Sequence, residues 1–229
     1  MSQEWLKSEK GRHTLFYFTS ATHALSNIHN ERVRVSDFAS CNDGFELTAL
    51  NISTPKKRQD NRAWRSRIAE KFGLICMSSN WRNPLMWGHY GKRGAGACLV
   101  FSVSQGCVSK VKYLSQREPA PEDFNYPDES DLPKLRKFCS QKFSSWSYER
   151  EYRFLVDLSR TEKNGADGRF LKMSDEIRLL GVINGYSPES GKKEFVDAFG
   201  GRVLNYFQSR LAFTRFRVVE QRQKKYWKP

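Results

Sequence analysis

The chain has 229 residues, of which 38% are hydrophobic and 14% aromatic, enough for one domain with a substantial core and too apolar for a disordered chain. Its 39 Lys and Arg against 25 Asp and Glu leave a formal charge of +14. That excess suits a polyanion such as nucleic acid, because neutralised phosphates release counterions. No run approaches the ~20 apolar residues of a membrane span and no N-terminal stretch resembles a signal peptide, so a cytoplasmic protein with no membrane partner is expected.

From the N-terminus, "HTLFYFTS" is aromatic-rich and predicts a strand over residues 14–19. "SATHALSNIHNE" carries Ala24, Leu25 and Ile28 at helical spacing, with Ser20 or Thr22 as N-cap. "RVRVSDF" alternates valine and arginine like a half-buried strand, and "CNDGFE" reads as a turn. Residues 56–72 predict a helix with Trp64, Ile68 and Phe72 on one face. "GLICMSS" and "AGACLVFSV" read as buried strands around "NWRNPLMWGHYGKRG", a turn, short helix and loop, and "VSKVKYL" adds another strand. The acidic, Pro-rich residues 117–133 exceed the length of a plain connection, which suits a lid or interaction loop. After a helix in "LPKLRKFCSQKF", "SSWSYEREYRFLVDL" reads as one strand over residues 144–158. "IRLLGVINGYS" is a strand closed by Gly185, "PESGKKEFVDAFG" a helix from about Pro188 to Gly200, and "FTRFRVVEQ" a last strand. Strands cluster between helices without a βαβ rhythm, which points to an α+β fold with a mainly antiparallel sheet.

Charge is clustered. Lys56, Lys57, Arg58, Arg62 and Arg65 stack in the basic helix, and Arg210, Arg215, Arg217, Arg222, Lys224, Lys225 and Lys228 follow near the C-terminus. The helical set is the first nucleic-acid-binding candidate. The five cysteines form no CxxC pair and have no His at ligand spacing, so they read as reduced thiols and no metal site is expected.

Three segments carry polar residues of chemical interest. On one strand, Glu149, Glu151 and Arg153 would share a face, the two carboxylates about 7 Å apart. A small ligand held by both and a solvated ion-pair ladder both fit that pattern, and residue types alone favour the ladder. His89 and Tyr90 stand among Gly88, Gly91, Gly94 and Gly96, which allow a ligand close to the backbone, although a structural histidine explains His89 equally well. Tyr17, Thr19, Asn42, Asp43 and Glu46 lie at strand ends and turns, where capping accounts for them singly.

In order, "LFYFTSATHALSNIHNERVRVSDFASCNDGFE", "ICMSSNWRNPLMWGHYGKRGAGACLVF" and "WSYEREYRFLV" resemble a bacterial domain family of unassigned function. The family's signature runs through YxYTS, NDxFE, LMWxHY and WxYExEYR. That family is similar to a remote branch of the ADP-ribosyltransferase superfamily, grouped with toxins that modify DNA or RNA. The resemblance implies a single domain over residues 1–229, built of two packed, mainly antiparallel sheets with flanking helices, with NAD as substrate in the cleft between them. It implies that Glu151 bonds the ribose 2′-OH and stabilises an oxocarbenium-like state, and that Glu149 orients or deprotonates the acceptor. Tyr90, beside His89, would stack on nicotinamide and Tyr17 or Thr19 would hold the adenosine ribose, with Asn42 and Arg153 completing the cofactor-binding set. Relatives often carry His at the positions of Tyr17 and Arg93. The expected function is ADP-ribosylation of RNA or single-stranded DNA by a toxin or phage-defence effector, with an antitoxin protein as a further partner. The alternatives are a metal-dependent nuclease using Asp43, Glu46, Glu149 and Glu151, and a non-catalytic nucleic-acid-binding module.

Overall fold

The computed structural model describes residues 3–121, 124–165 and 168–228. In chain order its strands and helices are β1 (Arg12–Thr19), α1 (Ala21–His29), β2 (Arg32–Val35), α2 (Pro55–Lys71), β3 (Phe72–Ser78), α3 (Pro84–His89) and β4 (Ala97–Ser104). There follow β5 (Val108–Lys110), β6 (Lys112–Leu114), α4 (Leu132–Phe138), β7 (Gln141–Phe143), β8 (Glu151–Asp157) and β9 (Glu162–Lys163). The last are β10 (Arg169–Lys172), β11 (Ile177–Asn184), α5 (Lys192–Ala198), β12 (Asn205–Leu211) and β13 (Val218–Glu220). The fold is mixed α+β with antiparallel pairing predominant, as expected. The chain divides into two units, Met1–Val33 with Met77–Gly106 and Lys172–Pro229, and Arg34–Cys76 with Cys107–Leu171.

In the first unit β1 pairs antiparallel with β4 from Arg12 opposite Ser104 to Thr19 opposite Ala97. β4 also pairs antiparallel with β11, β11 runs parallel to β12, and β12 turns back antiparallel to β13. β4 is buried on both faces almost throughout, from Ala97 to Val103, so side chains from other elements cover the sheet above and below it. Ser20 is the N-cap of α1, its hydroxyl accepting from His23 N at 3.1 Å. Gly91, Gly94 and Gly96 are required by the protein's own packing, whereas a Cβ on Gly88 would meet nothing within 4 Å. A Cβ on Gly96 would lie 2.2 Å from Thr19 O, one on Gly94 2.1 Å from the Tyr186 ring, and one on Gly91 2.8 Å from the Trp87 ring. Trp87 itself is fully buried, edge-on to Phe18 at 5.1 Å.

The second unit holds β3, β8 and β5, the strands β2, β10 and β9, and a parallel pair of β6 and β7. Helix α2 begins as its sequence demands, with Pro55 in the first turn and Thr54 Oγ1 accepting from Lys57 N at 3.2 Å. Trp64, Ile68 and Phe72 are buried on one side, in a cluster with Phe38, Leu74 and Leu135. The Trp64 indole donates to Pro127 O at 2.6 Å and stacks on Tyr126 at 5.1 Å. The Pro-rich segment is therefore an arm anchored to α2 at these residues, not a free lid; positions 122 and 123 lie outside the described residues.

Several predicted elements change. "VSKVKYL" is two short strands, β5 and β6, separated at Val111, whose N–H donates to Glu151 O. The helix expected from about Pro188 starts at Lys192, because Gly191 N–H is capped by the Glu194 carboxylate. The helix expected through "LPKLRKFCSQKF" ends at Phe138 and its last residues form β7; the last strand is confined to Val218–Glu220, and β12, β9 and β10 were not anticipated. The largest change is at residues 144–158: Ser144–Glu149 form a 3-10 helix, Arg150 is left-handed (φ 48°), and only Glu151–Asp157 is a strand. Serines at positions 144, 145 and 147 compete for backbone hydrogen bonds and favour such a turn over a strand.

Candidate functional site

The three short elements β6, β7 and β8 assemble a buried charge cluster in the second unit. Residues Glu46, Lys142, Glu149, Glu151 and Arg153 are all buried. The pairing of β6 with β7 sets Tyr113 opposite Lys142, and the Tyr113 hydroxyl accepts from Glu151 N–H at 2.8 Å, which fixes the start of β8 beside Lys142.

Arg153 is the hub. Its Nη1 and Nη2 bind the two oxygens of Glu46, the latter at 2.9 Å, its Nε donates to Glu151 Oε1 at 2.8 Å, and Nη1 also reaches Cys139 O at 2.6 Å. A two-pronged guanidinium–carboxylate contact of this kind is the strongest ion-pair geometry open to a side chain. Lys142 Nζ then donates to Glu149 Oε2 at 2.6 Å and Glu151 Oε2 at 3.2 Å, and lies 4.9 Å from the Trp146 ring centre.

The expectation that Glu149 and Glu151 share a strand face is wrong in its cause. They stand on different elements, and the left-handed Arg150 turns the chain so that both still meet one ammonium. The ladder on a solvent face is also corrected, since the side chains of Glu149, Glu151 and Arg153 are only 3%, 5% and 1% exposed.

Burial by itself would raise the Glu151 pKa, but Arg153 and Lys142 outweigh it and hold the carboxyl at about 2. Burial would likewise lower the Lys142 pKa, yet Glu151 and Glu149 lift it above the ordinary lysine value. Around them the thiols are driven the other way. Burial, reinforced by Glu46, pushes Cys41 up to about 12, and burial likewise takes Cys139 to about 12. The cluster brings Glu46, Glu149 and Glu151 together around Arg153 and Lys142.

Lys142 also forms part of the wall of a pocket of about 300 Å³, with Phe45, Leu114, Arg117 and Phe143. Arg117 lies over the Phe45 ring at 5.0 Å. Flat apolar faces beside two cations are the mixture by which small-molecule pockets hold ring-bearing anions.

The other expected site residues distribute as follows. Tyr17, on β1, is half-buried and edge-on to Phe101 at 6.4 Å; Thr19 ends the same strand. His89 is exposed at the end of α3, with Tyr90 next to it, ring centres 6.1 Å apart. All four belong to the first unit, whereas Asn42, Glu149, Glu151 and Arg153 belong to the second. Asn42 is exposed, and its neighbour Asp43 is buried, accepting from Phe45 N at 2.9 Å in an Asx-type turn. In the basic helix, Lys57 donates to Ala120 O and Arg58 to Ser53 O, both at 2.6 Å, while Lys56 and Arg62 are exposed and Arg65 is half-buried.

Sequence reasoning missed Lys142, Tyr113 and the hub contact to Glu46, which no local motif announces because they come from three separate stretches of chain. Among the described residues no group of three or more His, Cys, Asp or Glu is arranged to hold a metal ion. None of the described helices is long and apolar enough to cross a membrane. No family model matches the chain, and neither a curated protein nor a solved structure matches it.

Proposed function

We propose that the chain is an NAD-dependent ADP-ribosyltransferase acting on nucleic acid, with Glu149 and Glu151 as its working carboxylates. One observation carries the reading: two buried carboxylates converge on a single ammonium at a pocket wall. In the reaction the bond between ribose C1′ and nicotinamide nitrogen breaks, and nicotinamide leaves with the electron pair. An ionised Glu151 beside the ribose would stabilise the positive charge that develops there.

The pocket's fit to NAD is partial. About 300 Å³ is at the lower end for a ligand site and suits the nicotinamide–ribose end, not the whole dinucleotide. Phe45 and Phe143 would flank the ring, Arg117 would face a phosphate, and the ionised Glu151 would supply the field at C1′. A nucleophilic nitrogen or oxygen of the acceptor then bonds to C1′, and its proton passes to Glu149.

The test is incubation with radiolabelled NAD and RNA, single-stranded DNA or protein. Label should enter nucleic acid, and Glu149→Gln, which removes the charge but keeps the side-chain shape, should abolish it while circular dichroism shows the fold retained. No transfer to any acceptor sinks the reading, as does Glu149→Gln and Glu151→Gln activity equal to wild type. The second reading, a non-catalytic nucleic-acid-binding module, is favoured by the burial of both glutamates in ion pairs. It predicts NAD-independent binding and no labelled product.

A further inference from the structure

The first unit carries a groove of about 1050 Å³ along β12, β13 and the C-terminal segment. Its cations are Arg82, Lys192, Arg210, Arg222 and Lys224, and Glu220 is its one acidic lining residue. Among the described residues no salt bridge neutralises Lys192, Arg210, Arg222 or Lys224. Glu220 is engaged by Gln3 Nε2 at 2.7 Å. Burial, and the like charge of nearby Arg217, lower the Arg82 pKa, against the opposing pull of Glu220.

Aromatic rings are interleaved with these charges. Trp5, Phe207, Tyr206 and Trp227 line the groove, with Trp5 and Phe207 5.9 Å apart and Tyr206 and Trp227 5.4 Å apart. At its rim the loop of residues 212–217 joins Leu211 to Val218, which face each other across the β12–β13 hairpin. The loop presents Phe213 at 90% and Phe216 at 103% exposure, alternating with Arg215 and Arg217. Two phenylalanines held out in water beside arginines are costly unless a flat partner covers them. Arg210 already lies over the Phe213 ring at 4.3 Å, which keeps that ring face oriented.

We propose that this groove and its Phe213–Phe216 rim bind single-stranded nucleic acid, the cations tracking phosphates and the rings stacking on unpaired bases. Charge complementarity selects a polyanion, and the exposed ring faces select a polyanion with flat groups to offer. A duplex keeps its bases stacked inside and cannot use them. An acidic polypeptide would match the charge but leave the rings without flat partners. The proposal does not depend on NAD, so it is tested without it.

The experiment is fluorescence anisotropy of labelled 12-nucleotide RNA and DNA single strands and of the corresponding duplex, titrated with the full chain between 50 and 200 mM KCl. These are chosen conditions, over which phosphate contacts weaken binding on the order of 10³-fold when six or more are made. Both single strands should bind more tightly than the duplex; RNA and DNA together identify which sugar is preferred. Phe213→Ala and Phe216→Ala should each weaken single-strand binding roughly 5- to 150-fold, the range for loss of one stacked base. Arg222→Ala and Lys224→Ala, at exposed positions, should each reduce the log–log salt slope by about 0.7. Circular dichroism of each variant checks that the fold survives. The proposal is overturned by equal affinity for the duplex, by single-strand binding that none of the four variants changes, or by no binding at 50 mM salt. It is also overturned if the phenylalanine variants lose binding to anionic phosphatidylserine vesicles while RNA binding is untouched, which would make the rim a membrane contact.

Discussion

Replacing Arg153 by methionine keeps most of the side-chain volume but strips Glu46 and Glu151 of their common partner. In the native protein the Glu151 carboxyl stands at about 2 against an ordinary value of 4.5, a gap corresponding to about 3 kcal/mol of stability at neutral pH. Losing the paired contact to Glu46 as well should bring the total cost of Arg153→Met to about 3–5 kcal/mol at pH 7. The sign of the pH dependence discriminates further. In the native protein the Glu151 contribution is fully present above about 4.5 and is lost as pH falls towards about 2. In the variant, burial is opposed at Glu151 by Lys142 alone, so its pKa rises above the native value and the buried carboxyl takes up a proton more readily as pH falls. The gap between variant and wild type should therefore be widest near pH 7 and shrink below pH 5. Urea melts followed by tryptophan fluorescence at pH 7, 6, 5 and 4 measure it. A loss under about 1 kcal/mol at pH 7, or a gap that does not narrow in acid, would refute the idea that Arg153 neutralises two buried carboxylates.

Other outcomes follow from packing. Trp64→Ala should cost about 3–5 kcal/mol, because it opens a cavity in the α2 core and removes the hydrogen bond to Pro127; thermal melts read this directly. The Pro-rich arm should then be cut faster after Glu129 by a glutamate-specific protease than in wild type. Gly185→Ala places a methyl 2.0 Å from Gly94 O and 2.7 Å from Gly96 O, both backbone atoms, and should lower Tm by about 5 °C or more. Unchanged melting would mean that the 91–96 loop yields freely. Cys41, Cys76 and Cys139, whose thiols burial holds protonated, should react with a disulfide reagent at pH 8 only after unfolding in guanidinium. Rapid native labelling of Cys41 would contradict that protection.

Local pattern was legible where one periodicity governed a whole element. The spacing of Trp64, Ile68 and Phe72 marks the buried side of α2, and the alternation of Val33 and Val35 marks β2; both valines are buried. It failed where two elements join inside a run of uniform composition. "SSWSYEREYRFLVDL" looks like one strand because Glu149, Glu151 and Arg153 fall at every second position before an apolar end, yet the left-handed Arg150 divides it. The charge cluster was half legible: Glu149, Glu151 and Arg153 stand out in sequence, but Glu46 and Lys142 reach them only through tertiary pairing. The aromatic groove was visible only as a count of basic residues near the C-terminus. Its rings come from Trp5 at one end of the chain and Trp227 at the other.

The left-handed Arg150 makes the E-x-E spacing an address for a corner instead of a repeat along a ribbon. On one side of that corner the chain is a tight 3-10 coil, on the other an extended strand held by β5. A residue inserted before the corner would move Glu149 off the ammonium and leave Glu151 seated on Arg153. One inserted after it would uncouple Glu151 instead. The two glutamates are thus separately adjustable parts, and natural length variation on either side of position 150 could retune one without disturbing the other.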